Sequence, residues 1–259
     1  MIRTEGLVKR YGRFTAVRGV DLHVRKGEVF GFLGPNGAGK TTTMKMVAGL
    51  LKPSEGSVWV DGIDTSVDAV SVKRMIGYIP DRPYLYERLT GREFLRFVGG
   101  IYKLEDDVLK ARSQELLTFI GLENFGDELV ESYSHGMKQR LTLAAALLHR
   151  PPLLIIDEPM VGLDPAGAKL IKQVFREYAK EGRTVFVSTH TLEVAEAICD
   201  RVAIIHKGTI VAMGTVEELK ELHTQGGGRL EDVFLTLVGS PDEAGVLDVL
   251  REDDTTDGD

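Results

Sequence analysis

The chain has one cysteine. Cys199 has no second thiol with which to form an internal disulfide or a zinc cluster, and in "EAICDRVAII" it reads as a small buried hydrophobe. Long apolar runs are also missing. A membrane-spanning helix needs about 18 or more apolar residues in a row, and the best candidate, "LTLAAALL", is closed off by Arg140 and His149. The opening "MIRTEGLVKRYG" lacks the apolar core of a signal peptide. There is no excess of basic residues. Lys and Arg number 32 against 39 Asp and Glu, a net charge of −7, which gives no general ground for the basic face that nucleic-acid binding uses. No internal repeat is evident. A chain with these absences is expected in the cytoplasm, not crossing a membrane by itself and not binding nucleic acid.

What is present suffices for a globular fold: 259 residues, 43% of them hydrophobic, can bury a sizeable core. The first thirty residues read as β-rich, with Val20, Leu22 and Val24 alternating with polar neighbours. "GEVFGFLG" is a buried-strand run that ends in a glycine-rich loop, and "TTTMKMVAGLL" carries helical spacing behind it. "SVWVDG" and "MIGYIP" are short strands. From Thr90 to about Arg150 the pattern is helical, and strands then alternate with helices from "LLIID" onward. Such alternation implies a parallel sheet covered by helices. One domain over 1–239 is expected, with its core at 1–88 and 151–222, a helical insertion at about 89–150 and a helical segment at 229–239. Residues 240–259, acidic and poor in apolar side chains, are expected to be disordered.

The motif "GPNGAGKTT" lies between a strand and a helix and fits the phosphate-loop pattern G-x-x-x-x-G-K-[ST]. It comprises Gly34, Pro35, Asn36, Gly37, Ala38, Gly39, Lys40, Thr41 and Thr42. Its glycines let the backbone curl so that successive amides point inward, and the helix N-terminus adds roughly half a positive charge. Lys40 can reach the β- and γ-phosphates, and the Thr41 hydroxyl can ligate Mg²⁺. A second element must hold the metal and supply a base. In "LLIIDEP" two carboxylates stand at the C-terminal end of an apolar strand, where open α/β sheets place their ligands. Asp157 is the expected Mg²⁺ partner and Glu158 the general base. His190, ending "TVFVSTH", is placed to touch the γ-phosphate or to orient the water and Glu158. The fold expected is α/β: a P-loop NTPase core with an N-terminal antiparallel β-subdomain and an inserted α-helical subdomain.

With these elements in order, the chain resembles an ATP-binding cassette (ABC) ATPase over about residues 2–215. "RYG", "GPNGAGKTT", "YSHGMKQR", "LLIIDEP", "GLDP" and "STH" occupy the places of that family's motifs. The resemblance implies ATP and Mg²⁺ as cofactors, with Tyr11 stacking on adenine and Asp164 in the loop at the subunit contact. It also implies a second copy bound head to tail, so that Ser134 and the Gly136 amide contact the γ-phosphate held by the partner chain. Two positions depart from the family pattern. His135 stands for the first glycine of the signature and is expected to point into the interface. Asp81 stands for the usual glutamine, and three placements stay open for it: on Mg²⁺ directly, behind a water, or swung away until the dimer closes.

The chain carries neither a second cassette nor a long coiled-coil insertion. The combination "IGYIPD", "YSHGMKQR" and "LEDVFLTLVG" is similar to the exporter class of drug, antibiotic, sodium and lipid efflux systems, whose ATPases pair with separate membrane permeases. That resemblance implies an ATPase driving a permease from the inner face of the cell membrane. Tyr84, Leu85, Tyr86 and Phe94 lie where a permease's coupling helix docks, about half of them expected in the insertion's own core. The 230–239 segment is either a dimer contact or a capping helix. A soluble ABC ATPase acting on a cytosolic complex and a regulatory cassette with little turnover are the alternatives.

Overall fold

The computed structural model describes residues 1–82, 84–160, 165–223 and 229–239. In chain order the elements are β1 (Ile2–Tyr11), β2 (Phe14–Val24), β3 (Val29–Leu33), α1 (Lys40–Val47), β4 (Glu55–Val60), β5 (Ile63–Asp64), α2 (Ala69–Arg74) and β6 (Ile76–Ile79). Then come α3 (Gly91–Ile101), α4 (Asp106–Phe119), α5 (His135–Leu147), β7 (Leu153–Asp157), α6 (Pro165–Lys180) and β8 (Thr184–Thr189). The chain continues with α7 (Leu192–Ile198), β9 (Arg201–His206), β10 (Thr209–Thr215), α8 (Val216–His223) and α9 (Leu230–Val238).

Two sheets organise these elements. One is four-stranded and antiparallel, in the order β2-β1-β4-β5. In β2 the buried Val20, Leu22 and Val24 alternate with exposed Asp21 and His23, as a strand with one wet face requires. The other sheet is six-stranded, in the order β10-β9-β3-β8-β7-β6. Its central strands β3, β7 and β8 are buried at every residue, the signature of parallel strands covered on both faces. The parallel pairing that the alternation of strand and helix implies holds for β9, β3, β8, β7 and β6, and β10 is added at the edge antiparallel to β9. Lys207 (φ 48°) and Gly208 (φ 85°) form a two-residue turn with both φ values positive, which reverses the chain into a hairpin. Asp61 and Gly62 do the same between β4 and β5.

Alternation along the central strands feeds two cores. Ile155 and Phe186 face the antiparallel sheet and α1, where Phe30 and Phe32 pack on Phe186 at 6.1 and 5.7 Å between ring centroids. Leu154, Ile156, Val185 and Val187 face the other way, onto a core shared with α3, α4, α5 and α6. Helix α3 begins with a capping box, in which the Glu93 amide donates to Thr90 Oγ1 (3.2 Å) and the Thr90 amide to Glu93 Oε2 (2.8 Å). Leu85 and Phe94 pack into the core, whereas Tyr84 and Tyr86 are exposed. Tyr86 meets the exposed Phe97 edge-on, with centroids 5.0 Å apart. Cys199 is buried, and burial pushes its thiol pKa up. Helix α9 buries Leu230 and Val233 within its own chain, as a capping helix does. Residues 240–259 lie outside the described residues. Among the described residues no helix is long and apolar enough to cross a membrane.

Candidate active site

The site gathers at the C-terminal ends of β3, β7 and β8. After β3 the chain turns through the glycine loop into α1. Three glycines there answer three constraints: a Cβ at Gly34 would collide with the carbonyl oxygen of Ile205, Gly37 has φ 78°, and Gly39 has φ 109° with Ala16 O 2.6 Å from where a Cβ would stand. No side chain caps α1 at Gly39, so its first-turn amides face outward along the helix axis. Lys40 is 6% exposed. Its Nζ donates to Gly34 O (2.7 Å) and Pro35 O (3.3 Å), and lies 3.6 Å from Glu158 Oε1.

Asp157 ends β7 and is 3% exposed. Its Oδ1 accepts a hydrogen bond from Ser188 Oγ on β8, the residue opposite it in the strand register. Ser188 also accepts from the Glu158 amide, through its carbonyl oxygen (3.1 Å) and its Oγ (3.3 Å). Glu158 has φ 54°, a conformation that costs a non-glycine residue about 1–3 kcal/mol. That turn takes its side chain off the strand, so that Oε1 lies 2.9 Å from His190 Nδ1 as well as near Lys40. Lys40, Glu158 and His190 thus form one cluster, with Asp157 tied to it through Ser188. Ser188 was not singled out from the sequence. Its signal was a small hydroxyl near the end of an otherwise apolar strand.

Tyr78 on β6 adds a further polar atom that the sequence did not mark. Its hydroxyl is buried and has no hydrogen-bond partner. Burial, then the charges of Asp157 and Asp81, push its pKa up.

The remaining expected residues among those described make no direct polar contact with this cluster. Tyr11 is half exposed at the β1–β2 turn, with Lys9 Nζ 5.4 Å from its ring centroid. Ser134 caps α5, accepting from the Met137 amide at 3.3 Å, and His135 and Gly136 open the first turn. Ser134 and His135 are exposed, as is Asp81 after β6. Among the described residues no hydrogen bond or ion pair joins Tyr11, Asp81, Ser134 or Gly136 to the Lys40–Glu158–His190 cluster. Asp164 lies outside the described residues.

The donor chemistry fits a magnesium nucleotide. A carboxylate and a threonine hydroxyl are the hard oxygen donors that Mg²⁺ prefers, and the glycine loop leaves backbone room where side chains would intrude. Among the described residues no group of three or more His, Cys, Asp or Glu side chains is poised to hold a metal; Mg²⁺ is commonly held by one or two carboxylates together with substrate phosphates.

The family model described as "ABC transporter" matches residues 17–161. The chain belongs to the ABC transporter family. It is that family's ATP-binding and ATP-hydrolysing subunit. It is 40% identical over 219 residues to the linearmycin resistance ATP-binding protein LnrL of Bacillus subtilis (strain 168), covering 85% of this chain and 70% of that one. To the fluoroquinolones export ATP-binding protein of Mycobacterium tuberculosis (strain CDC 1551 / Oshkosh) it is 38% identical over 263 residues, covering 97% of this chain and 86% of that one. Among solved structures it is similar to a dimeric, post-hydrolysis ATP-binding cassette bound to ADP and Pi. The TM-score is 0.76 at 28% identity, over 83% of this chain and 98% of that one.

Proposed function

We propose that this ATPase works as a head-to-tail homodimer on a separate membrane permease and drives export of a drug- or antibiotic-like compound from the inner face of the cell membrane. The observation that carries the catalytic part is the placement of Glu158, with Oε1 2.9 Å from His190 and 3.6 Å from Lys40 beside the Ser188-held Asp157. The relatives named for linearmycin resistance and fluoroquinolone export support the direction of transport, and the dimeric cassette supports the pairing.

In this reading the loop amides and Lys40 hold the β- and γ-phosphates, and Tyr11 stacks on adenine. Thr41 and Asp157 hold Mg²⁺, which neutralises charge on the transferring phosphate when bound. Glu158 accepts the proton of the attacking water while His190 keeps its carboxylate in place. Ser134 and the Gly136 amide serve the nucleotide on the partner copy, and Asp164 lies at the contact between copies. Hydrolysis then releases the pair. The exposed Tyr84, Tyr86 and Phe97 offer the permease an apolar docking face beside the Asp81 loop.

A general base contributes about 10²–10⁴ in rate. Glu158→Gln is therefore expected to cut steady-state phosphate release by about that factor while ATP binding, followed by fluorescence of a labelled ATP, persists. Unchanged phosphate release in the variant removes Glu158 from the role of base.

A further inference from the structure

Three neighbouring strands place a row of polar groups on one face of the central sheet. Tyr78 on β6 stands opposite Ile155 on β7, which stands opposite Phe186 on β8. All three side chains face the core against α1. Asp157 and Ser188 follow Ile155 and Phe186 by two positions and so share that face. The Ser188 hydroxyl is used by Asp157. The Tyr78 hydroxyl, on the strand adjoining β7, is buried within the electrostatic reach of Asp157 and donates to nothing. A buried hydroxyl with no partner is destabilising and requires a reason.

We propose that Tyr78 is a positioning residue on the metal side of the nucleotide site, its hydroxyl hydrogen-bonding an oxygen of the Mg²⁺–ATP complex held beside Asp157. A phenol suits the task. It both donates and accepts, so it can serve a phosphate oxygen or a metal-bound water, and it brings no charge of its own between Asp157 and Asp81. Its place on a strand, fixed in register with β7, gives it a rigidity that the exposed Asp81 on the following loop lacks. The inference rests on the proposed placement of Mg²⁺ at Asp157.

The test compares the full chain with Tyr78→Phe and Asp157→Asn. Binding of N-methylanthraniloyl-ATP is followed by fluorescence first in EDTA and then across a Mg²⁺ titration, and unfolding in urea is followed without nucleotide. Tyr78→Phe is expected to raise the half-saturating Mg²⁺ concentration roughly tenfold, the worth of one hydrogen bond to a charged group. Affinity in EDTA should stay within about twofold, and the urea midpoint should hold or rise, since an unpartnered buried hydroxyl is gone. A Mg²⁺ titration identical to wild type overturns the proposal. So does a lowered urea midpoint with a parallel loss of affinity in EDTA, which would make Tyr78 a packing residue. If Asp157→Asn also leaves the titration unmoved, the metal placement itself is wrong. If Asp157→Asn moves it and Tyr78→Phe does not, only the assignment to Tyr78 fails.

Discussion

Acid should weaken this fold through one histidine outside the Lys40–Glu158–His190 cluster. His149 follows α5 and stacks on Tyr102, with ring centroids 3.6 Å apart and planes 10° from parallel. Burial lowers its pKa to about 4, outweighing the backbone of Ile76, which acts in the opposite sense. In the unfolded chain a histidine titrates near 6.5. Above about pH 6.5 the ring is neutral in both states and its titration adds nothing. As pH falls below that value, the unfolded chain takes up a proton that the fold refuses, so stability drops with each step toward pH 4. At pH 4.5 the loss reaches about 2.5 kcal/mol, from two pH units at about 1.4 kcal/mol each less the fraction already protonated in the fold. The destabilisation is thus absent well above pH 6.5, grows as pH falls from there and is complete once pH has fallen below the folded value of about 4. His149→Phe keeps an aromatic on Tyr102 and removes the titration. Urea unfolding of both proteins from pH 7.5 to 4.5 should give free energies that differ by a constant above about pH 6.5, with wild type losing about 2.5 kcal/mol relative to the variant by pH 4.5. Parallel curves over the whole range would mean that burial does not hold the ring neutral.

Two further substitutions test the catalytic end of the sheet. Ser188→Ala takes the donor from a buried carboxylate and one acceptor from the Glu158 amide. It should lower urea stability by about 1–3 kcal/mol and lower kcat for phosphate release at least about tenfold, with KM for ATP changed much less. Gly34→Ala drives a methyl into the Ile205 carbonyl oxygen. It should weaken labelled-ATP binding at least about tenfold while far-ultraviolet circular dichroism stays native, because the loop must open by the width of that overlap.

What the sequence disclosed and what it withheld divide along physical lines. The glycine loop, Asp157 and Glu158 were legible because their chemistry is local: residue types at fixed spacing between a strand and a helix. The hairpin turns at Asp61-Gly62 and Lys207-Gly208 are equally local, yet alternation of strand and helix suggested a parallel sheet, and the antiparallel edge strand β10 followed from one turn. Ser188 and Tyr78 were missed for the opposite reason. Their placement relative to Asp157 comes from register across β6, β7 and β8, and the Asp157–Ser188 contact joins residues 31 apart in sequence. No periodicity reports which hydroxyl stands opposite which carboxylate. The left-handed turn at Glu158 was also hidden, since nothing in its residue type favours that conformation.

That turn links binding to chemistry on the proposed reading. The Lys40 ammonium is shared among two loop carbonyls and the Glu158 carboxylate, the last at 3.6 Å. At that separation two unit charges attract by roughly 4–5 kcal/mol for an effective dielectric of 20. A triphosphate in the loop carries several negative charges and outcompetes both carbonyls and a single carboxylate for the lysine. As Lys40 turns toward the phosphates, Glu158 loses its cationic partner and keeps its contact with His190 Nδ1, free to take a proton from water on its other side. The base is released by the same event that delivers its substrate. The cost of holding Glu158 at φ 54° is then the cost of placing one carboxylate within reach of Lys40, His190 and the phosphate loop at once, a position that an extended continuation of β7 could not reach.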